Sequence, residues 1–335
     1  MSASGDDQPE RLVHAVARRA DTVFAWDYGN ARAGIAGLYE KAKSSAWKVS
    51  DLDWSIAVDQ EAVVRANAVQ FGGIAPPGAD VSGTPLERWS DKEWLQFGVE
   101  SQNWTMSQFL HGEQGALLCA GKIVEMVPQI DAKLFAATQA VDEARHVEAF
   151  SRYLGTKLSG SYPINAQLQA LLDDIVADSR WDMTYLGMQI LVEGLGLAAF
   201  GFIQQMTTEP LLKSLLSYVM ADEARHIAFG VLSLKGLYDG FTAAEVRERQ
   251  EFVYQASIHM RDRLMQQEVW ERLGVPAAAG IGVVQRSPEH RAINASMFSK
   301  IVPACSRLGL LDAGDGWLRA RFTEMGLITY ERGVS

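Results

Sequence analysis

The segment Asp142-Glu143-Ala144-Arg145-His146 returns, residue for residue, as Asp222-Glu223-Ala224-Arg225-His226, 80 positions later in a chain of 335 residues. On a helix, each Glu-x-x-His puts a carboxylate and an imidazole on one face, about one turn apart. That pairing suits metal ligation. A single copy is weak evidence, because a hydrogen bond on a helix surface explains it equally well. Two more glutamates change the weight. Glu113 precedes Glu143 by 30 residues, and Glu193 precedes Glu223 by the same interval. Both sit in runs that are otherwise apolar: Phe109-Leu-His-Gly-Glu113-Gln-Gly-Ala-Leu-Leu and Gln189-Ile-Leu-Val-Glu193-Gly-Leu-Gly-Leu.

A dimetal site in a four-helix bundle takes one glutamate from each of two helices and a Glu-x-x-His from each of the other two. Glu113, Glu143, His146, Glu193, Glu223 and His226 supply that set. Each interval holds a turn, at Pro128 and at Pro210, so Glu113 and Glu193 can return to the level of the repeated motifs. A carboxylate buried without a partner is too costly to keep charged, and four converging ones repel. Two divalent cations neutralise them, and the imidazoles complete the set. The competing account, surface ion pairs to Arg145 and Arg225, leaves the apolar settings of Glu113 and Glu193 unexplained.

Mixed oxygen and nitrogen donors suit iron or manganese, whereas structural zinc favours a closed four-ligand site, often with cysteine. Asp142 and Asp222 each lie four residues before a histidine of the set. At that spacing each could accept the ring proton on the histidine's other nitrogen and so orient it. Arg145 and Arg225 pair with nearby acids in this reading rather than touch substrate. His111, two residues from Glu113, points away.

The elements that must position these groups are helical. Ser90-Asp-Lys-Glu93 has capping-box spacing and opens a helix expected to reach about Met126. A second is expected over about 131–154. The region 165–207 carries a bend near Ser179 and Arg180, and Thr207-Thr-Glu-Pro210 opens a helix to about Leu237. Gly240-Phe-Thr242-Ala-Ala-Glu245 opens another to about Leu273, 274–286 reads as a loop, and Ser287-Pro288-Glu289 starts a further helix. Toward the N-terminus, 10–20 and 29–46 read as helical and Phe71 to Thr84 as a connection. Gly194 and Gly196 beside Glu193 cost a helix about 1 kcal/mol each. They mark either close helix packing or a local π-type bulge, which would let Glu193 shift its mode of binding.

Composition agrees with such a bundle: 48% hydrophobic and 21% charged residues, with a net charge of −10 spread along the chain. An acidic balance argues against a nucleic-acid partner, which wants a basic face. Cys119 and Cys305 lie in apolar stretches and read as buried reduced thiols. Residues 1–10 are polar and acidic, so no signal peptide is expected. The apolar run near 186–203 is too interrupted for a membrane span, which leaves a cytoplasmic setting as the expectation.

With those residues in place, the order of Glu113, Asp142-Glu143-x-Arg145-His146, Glu193 and Asp222-Glu223-x-Arg225-His226 resembles the ferritin-like carboxylate-bridged diiron superfamily. It looks most like the hydroxylase subunits of bacterial multicomponent monooxygenases. At the ligand level it is similar to the ribonucleotide reductase small subunit and to stand-alone diiron oxygenases. The resemblance covers about 90–240. It implies an all-α, ferritin-like four-helix bundle with additional N- and C-terminal helices, 1–89 and 241–335, within a single domain spanning 1–335. It also implies two iron ions, with a manganese–iron pair as the alternative, dioxygen as co-substrate, and a homodimer.

Two positions depart from those relatives. Where a radical-generating subunit carries tyrosine, four residues beyond the first histidine ligand, this chain has Phe150. Where hydroxylase subunits commonly carry threonine, four residues after the third glutamate, it has Leu197. Helical spacing nominates Phe109, Leu110, Ala116 and Leu117 near Glu113, Gln189, Ile190, Gly196 and Leu197 near Glu193, and Phe150, as pocket residues. Most are apolar, as a site sheltering a reactive oxidant requires.

The expectation is a dioxygen-activating diiron monooxygenase or oxidase acting on a small organic substrate. The chain shows no flavin, nicotinamide or iron–sulfur motif, so a reductase or ferredoxin must supply electrons. The alternatives are a ferroxidase that handles iron, whose chains are usually much shorter, and a radical-generating subunit.

Overall fold

A computed structural model of the chain describes residues 13–18, 21–29, 32–69 and 80–331. Among them helices are the only regular structure. α1 (Ala33–Ser44) and α2 (Gln60–Val69) precede the long α3 (Asp91–Met126) and α4 (Ile130–Lys157). α5 (Ala166–Ala177) leads into one apolar rod made of α6 (Trp181–Tyr185), a π-helical turn (Leu186–Val192) and α7 (Glu193–Met206). α8 (Pro210–Leu234) closes the bundle, and α9 (Ala243–Arg263), α10 (Gln267–Arg272), α11 (Ala277–Arg286), α12 (Pro288–Ser296), α13 (Ile301–Arg307) and α14 (Trp317–Glu324) follow.

Local chemistry sets the boundaries that matter. At Ser90 the side-chain oxygen accepts from the Lys92 amide at 3.3 Å, while the Ser90 amide donates to Glu93 at 2.8 Å. Glu209 caps α8 by accepting from the amides of Leu211 and Leu212, both at 2.6 Å, with Pro210 at the first helical position. Short links, 127–129 and 207–209, make α3 and α4, and then α7 and α8, antiparallel neighbours.

α3 packs along α4, the 181–206 rod packs on α8, and α8 meets α4. This is a ferritin-like four-helix bundle. α1 lies across α4 and α8, and α9 packs against α5 and the π turn, so the flanking helices wrap the bundle. Phe135, Phe150 and Phe229 are fully buried in its core, each contributing about 1.5–3 kcal/mol from lost water contact. The rod Trp181–Met206 is long and apolar enough to cross a membrane, with a mean hydropathy of 1.7. Within this fold, however, 61% of its most apolar window is covered. It serves as the central core helix.

Several elements differ from the sequence-based expectation. Residues 13–18 are not helical, and the rest of the 10–20 helix expectation lies outside the described residues, as does most of 71–84. The N-terminal strap is tied to the end of α3 instead, through Arg18 and Thr22 on Glu125 and the Val23 amide on the Glu125 carbonyl at 3.0 Å. The helix opened by Thr242 stops at Arg263, because Gln266 adopts a left-handed conformation (φ 51°) with its side chain held by Ser101. The segment expected as a loop forms α11. Its alanines favour helix, and Gly280 leaves room for the Trp270 ring, which a Cβ would approach to 2.2 Å.

Candidate metal centre

α3 carries Glu113, α4 carries Glu143 and His146, α7 begins with Glu193, and α8 carries Glu223 and His226. The bundle brings all six side chains to one buried point, each exposed by 6% or less. Nδ1 of His146 lies 3.2 Å from Glu113, from Glu143 and from Glu223. Nδ1 of His226 lies 3.0 Å from Glu143 and 3.4 Å from Glu223. Two donor sets result: Glu113, Glu143, His146 and Glu223, and Glu143, Glu193, Glu223 and His226, with ligand atoms within 4.8 Å of one another in each. Glu143 and Glu223 belong to both. They sit where bridging carboxylates would.

The donors fit a pair of cations. Two atoms about 2.1 Å from one cation, at right angles, are about 3 Å apart, which matches the spacings above. Both oxygens of Glu223, Oε2 of Glu193 and Nδ1 of His226 are buried and make no hydrogen bond. Buried polar atoms without partners are costly, and a cation at each set removes that cost. Four carboxylates and two divalent ions also balance in charge.

Protonation without metal follows from burial and crowding. Burial pushes Glu113 up to about 8 and Glu193 well above the carboxylate range, with Glu223 close to both adding to the shift. Burial acts in the same direction on Glu143, but His226 and His146 outweigh it and hold that carboxyl low. Burial disfavours the charged imidazoles, yet the surrounding carboxylates raise both His146 and His226 well above 6.5.

Behind the histidines lies a charged layer. Nε2 of His146 contacts Asp222 at 3.1 Å, and Nε2 of His226 contacts Asp142 at 3.2 Å. The aspartates are therefore exchanged between helices rather than serving the histidine four residues on, as the spacing had suggested. An aspartate one turn before a histidine on the same helix is occupied by the arginine three residues on: Asp142 by Arg145 and Asp222 by Arg225. Each arginine also reaches across to the other aspartate, Arg145 to Asp222 at 3.3 Å and Arg225 to Asp142 at 3.4 Å.

Sequence reasoning did not include Trp47 or Gln139. Trp47 follows α1; its indole N–H donates to Asp222 at 2.8 Å and its ring stacks toward His146 at 6.3 Å. Nothing in the surrounding sequence marks it. Gln139 donates to Glu193 at 2.7 Å and to Glu143 at 3.2 Å. It sits one turn before Glu143, where the rule that grouped Glu143 with His146 could have found it. His111 turns away, to the Tyr162 carbonyl at 3.0 Å.

A cavity of about 40 Å³ reaches the cluster at Glu113, Glu193 and Glu223. Of the nominated pocket residues, Phe109, Ala116 and Gly196 line it. Leu110, Leu117 and Leu197 fall one position off the lining stripe, about 100° round the helix. Gln189 and Ile190 are fully buried elsewhere, because the π turn advances the chain by an extra residue and spacing counted back from Glu193 at 3.6 per turn fails there. Val192 and Leu195 take their places, with Phe200 and Arg263 completing the wall. Phe150 stands behind it, stacked on Phe200 at 5.8 Å and next to Phe109 at 5.9 Å. Gly194 packs close to Ile301, so close packing and a π turn both occur around Glu193.

No protein-family model matches the sequence, and no curated protein sequence does. Among solved structures the chain is similar to a variant of an R2-like ligand-binding oxidase with an anaerobically reconstituted Mn/Fe cofactor. The identity there is 19%, the TM-score 0.48, and the alignment covers 84% of this chain and 94% of that one. It is also similar to an R2-like ligand-binding oxidase with an aerobically reconstituted metal cofactor after photoconversion, at 19% identity and a TM-score of 0.44, covering 92% and 95%. The chemistry of the centre is assigned by its own donors.

Proposed function

We propose that this chain is a dimetal oxidase or monooxygenase that uses dioxygen on a small organic substrate, with electrons supplied by a separate reductase or ferredoxin. The observation that carries this is the pair of donor sets sharing Glu143 and Glu223, with buried oxygens that make no hydrogen bond within the protein. Their oxygen and imidazole chemistry suits two iron ions or a manganese–iron pair. When bound, such a redox-active pair supplies the electron transfer that reduces dioxygen.

The protein's own groups do the rest. Asp222 and Asp142 hold the Nε2 protons of His146 and His226, which leaves each Nδ1 lone pair directed inward. Arg145 and Arg225 balance the aspartate charges, so the layer behind the centre is neutral. Gln139 fixes one oxygen of Glu193, while the π turn sets where that glutamate enters. Phe109, Phe150 and Phe200 keep water from the approach. Tyr153 is committed elsewhere, donating to the α8 cap Glu209 at 3.0 Å, which speaks against a radical-storing role.

Loading the protein anaerobically with ferrous iron and admitting oxygen tests the reading. It requires two metals per chain and dioxygen uptake well above that of free ferrous iron. Binding of fewer than two metals would sink it. Continued iron uptake into a mineral would instead assign a ferroxidase.

A further inference from the structure

Away from the metal cluster, the ends of α9 and α11, with α12 and the chain after α14, form the walls of a cavity of about 340 Å³, against about 40 Å³ beside Glu113, Glu193 and Glu223. The described residues that line it run from Arg261 to Leu327, beyond the four helices that carry the metal ligands. The end of α9 divides the two cavities. Asp262 and Met265 face the larger one, while Arg263 between them turns to the smaller and leaves its Nε buried without a hydrogen bond. The floor of the larger cavity is apolar, with Val284, Phe298 and Leu327 all buried.

Its mouth is charged. Arg261 reaches it from α9 and Arg291 from α12, and both are exposed. Asp262, the one acidic residue in the described lining, is held by Arg261 at 2.7 Å. Arg291 donates to the Gln285 carbonyl at 2.6 Å and enters no ion pair with a described residue. Two arginines against one aspartate leave this lining at +1, in a chain whose net charge is −10. A spare guanidinium at the rim of an apolar hollow suits an amphipathic anion. The apolar body gains by leaving water, and the anionic head stays at the mouth, where the planar fork can take it in two hydrogen bonds.

We propose that this cavity is a separate ligand site for an amphipathic monoanion, with an apolar body about the size of two fused rings resting on Phe298 and Leu327 and a single carboxylate on Arg291 beside Arg261. Volume sets the body: a cavity of about 150 Å³ takes one benzene ring, and this one, at about 340 Å³, has room for two. Charge sets the head. A neutral ligand would leave Arg291 without a counterion, and a dianion would overshoot the single spare charge. The site stands apart from the dimetal reading, since none of its residues belongs to either donor set.

The test is calorimetric titration of the full chain with naphthoate and with naphthamide at fixed ionic strength, before and after loading with ferrous iron. One naphthoate per chain is expected, with the amide about tenfold weaker and both affinities unchanged by iron. Arg291→Gln is expected to weaken naphthoate about three- to tenfold, as for a charge at a half-open mouth, and to leave the amide alone. Arg291→Glu, which reverses the charge, is expected to abolish naphthoate binding. Ala295→Trp fills the hollow and keeps both arginines, so it is expected to abolish binding of acid and amide alike. The exposed Arg291 variants keep the test decisive if Ala295→Trp does not fold. Absence of binding overturns the proposal, as does equal affinity for acid and amide. So does naphthoate affinity that is unchanged in Arg291→Glu or that survives in a folded Ala295→Trp. Loss of naphthoate binding on iron loading would put the acid at the metal centre and overturn it too. Failure to take up two metals with Arg291-dependent binding intact would remove the oxidase reading alone.

Discussion

Nε2 of His146 on α4 rests 3.1 Å from Asp222 on α8, and the mirror contact joins His226 to Asp142 at 3.2 Å. Each copy of the repeated motif therefore orients the histidine of the other, and neither half of the centre is complete on its own helix. Asp222→Asn is expected to weaken metal binding about 10- to 100-fold, with the loss concentrated at the set containing His146. Asp142→Asn should empty the set containing His226. Anomalous scattering on crystals of each variant at limiting metal reads which position is depleted, and depletion at the motif's own histidine would contradict the exchange.

Metal loading is expected to release protons. Without metal, Glu113 sits near 8 and Glu193, His146 and His226 are all raised, so at neutral pH these groups hold protons that a cation must displace. The metal-free form then binds more protons than the loaded form. Apparent affinity should rise with pH as these groups give up their protons, Glu113 near 8, and fall as the solution is acidified. Calorimetry in buffers of different ionisation heat should count about two protons or more per metal pair. A count near zero would mean that the cluster is already bare.

Gly230, one turn beyond His226, faces the π turn. A Cβ there would lie 2.6 Å from Cβ of Gln189 and 3.3 Å from Ile190. Gly230→Ala should cost about 1–3 kcal/mol through overpacking, read from the denaturant midpoint. It should also lower occupancy of the set containing Glu193, because the turn that delivers Glu193 is what must move.

Trp47→Phe keeps a ring beside His146 and removes the donor to Asp222. Leaving a buried carboxylate short of a charge-assisted hydrogen bond is expected to destabilise the fold by about 1.5–3 kcal/mol. Chemical denaturation measures it. An unchanged midpoint would show that Arg145 and Arg225 satisfy Asp222 unaided.

The meeting of Glu113, Glu143, His146, Glu193, Glu223 and His226 is legible in the sequence because it depends on two short-range rules, helical spacing within each motif and helix–turn–helix length between them. The capping signals at Ser90, Glu209 and Thr242 are legible for the same reason. What escapes is tertiary. Which aspartate serves which histidine depends on how α4 faces α8, and Trp47 arrives from a segment 175 residues before Asp222 with no pattern of its own. Arg263 looks in sequence like any other arginine of a helix expected to run on to about Leu273; only its burial without a partner sets it apart. Gln189 and Ile190 were misplaced by counting ordinary helical spacing through a π turn.

That turn makes the centre sensitive to chain length. Deleting one residue anywhere within Leu186–Val192 would restore standard α spacing and swing Trp181–Tyr185 about 100° relative to Glu193. Tyr185, now packed against Phe229 at 5.0 Å, would leave its socket or drag the glutamate out of phase. A single-codon loss would thus yield a more regular helix and an inert bundle.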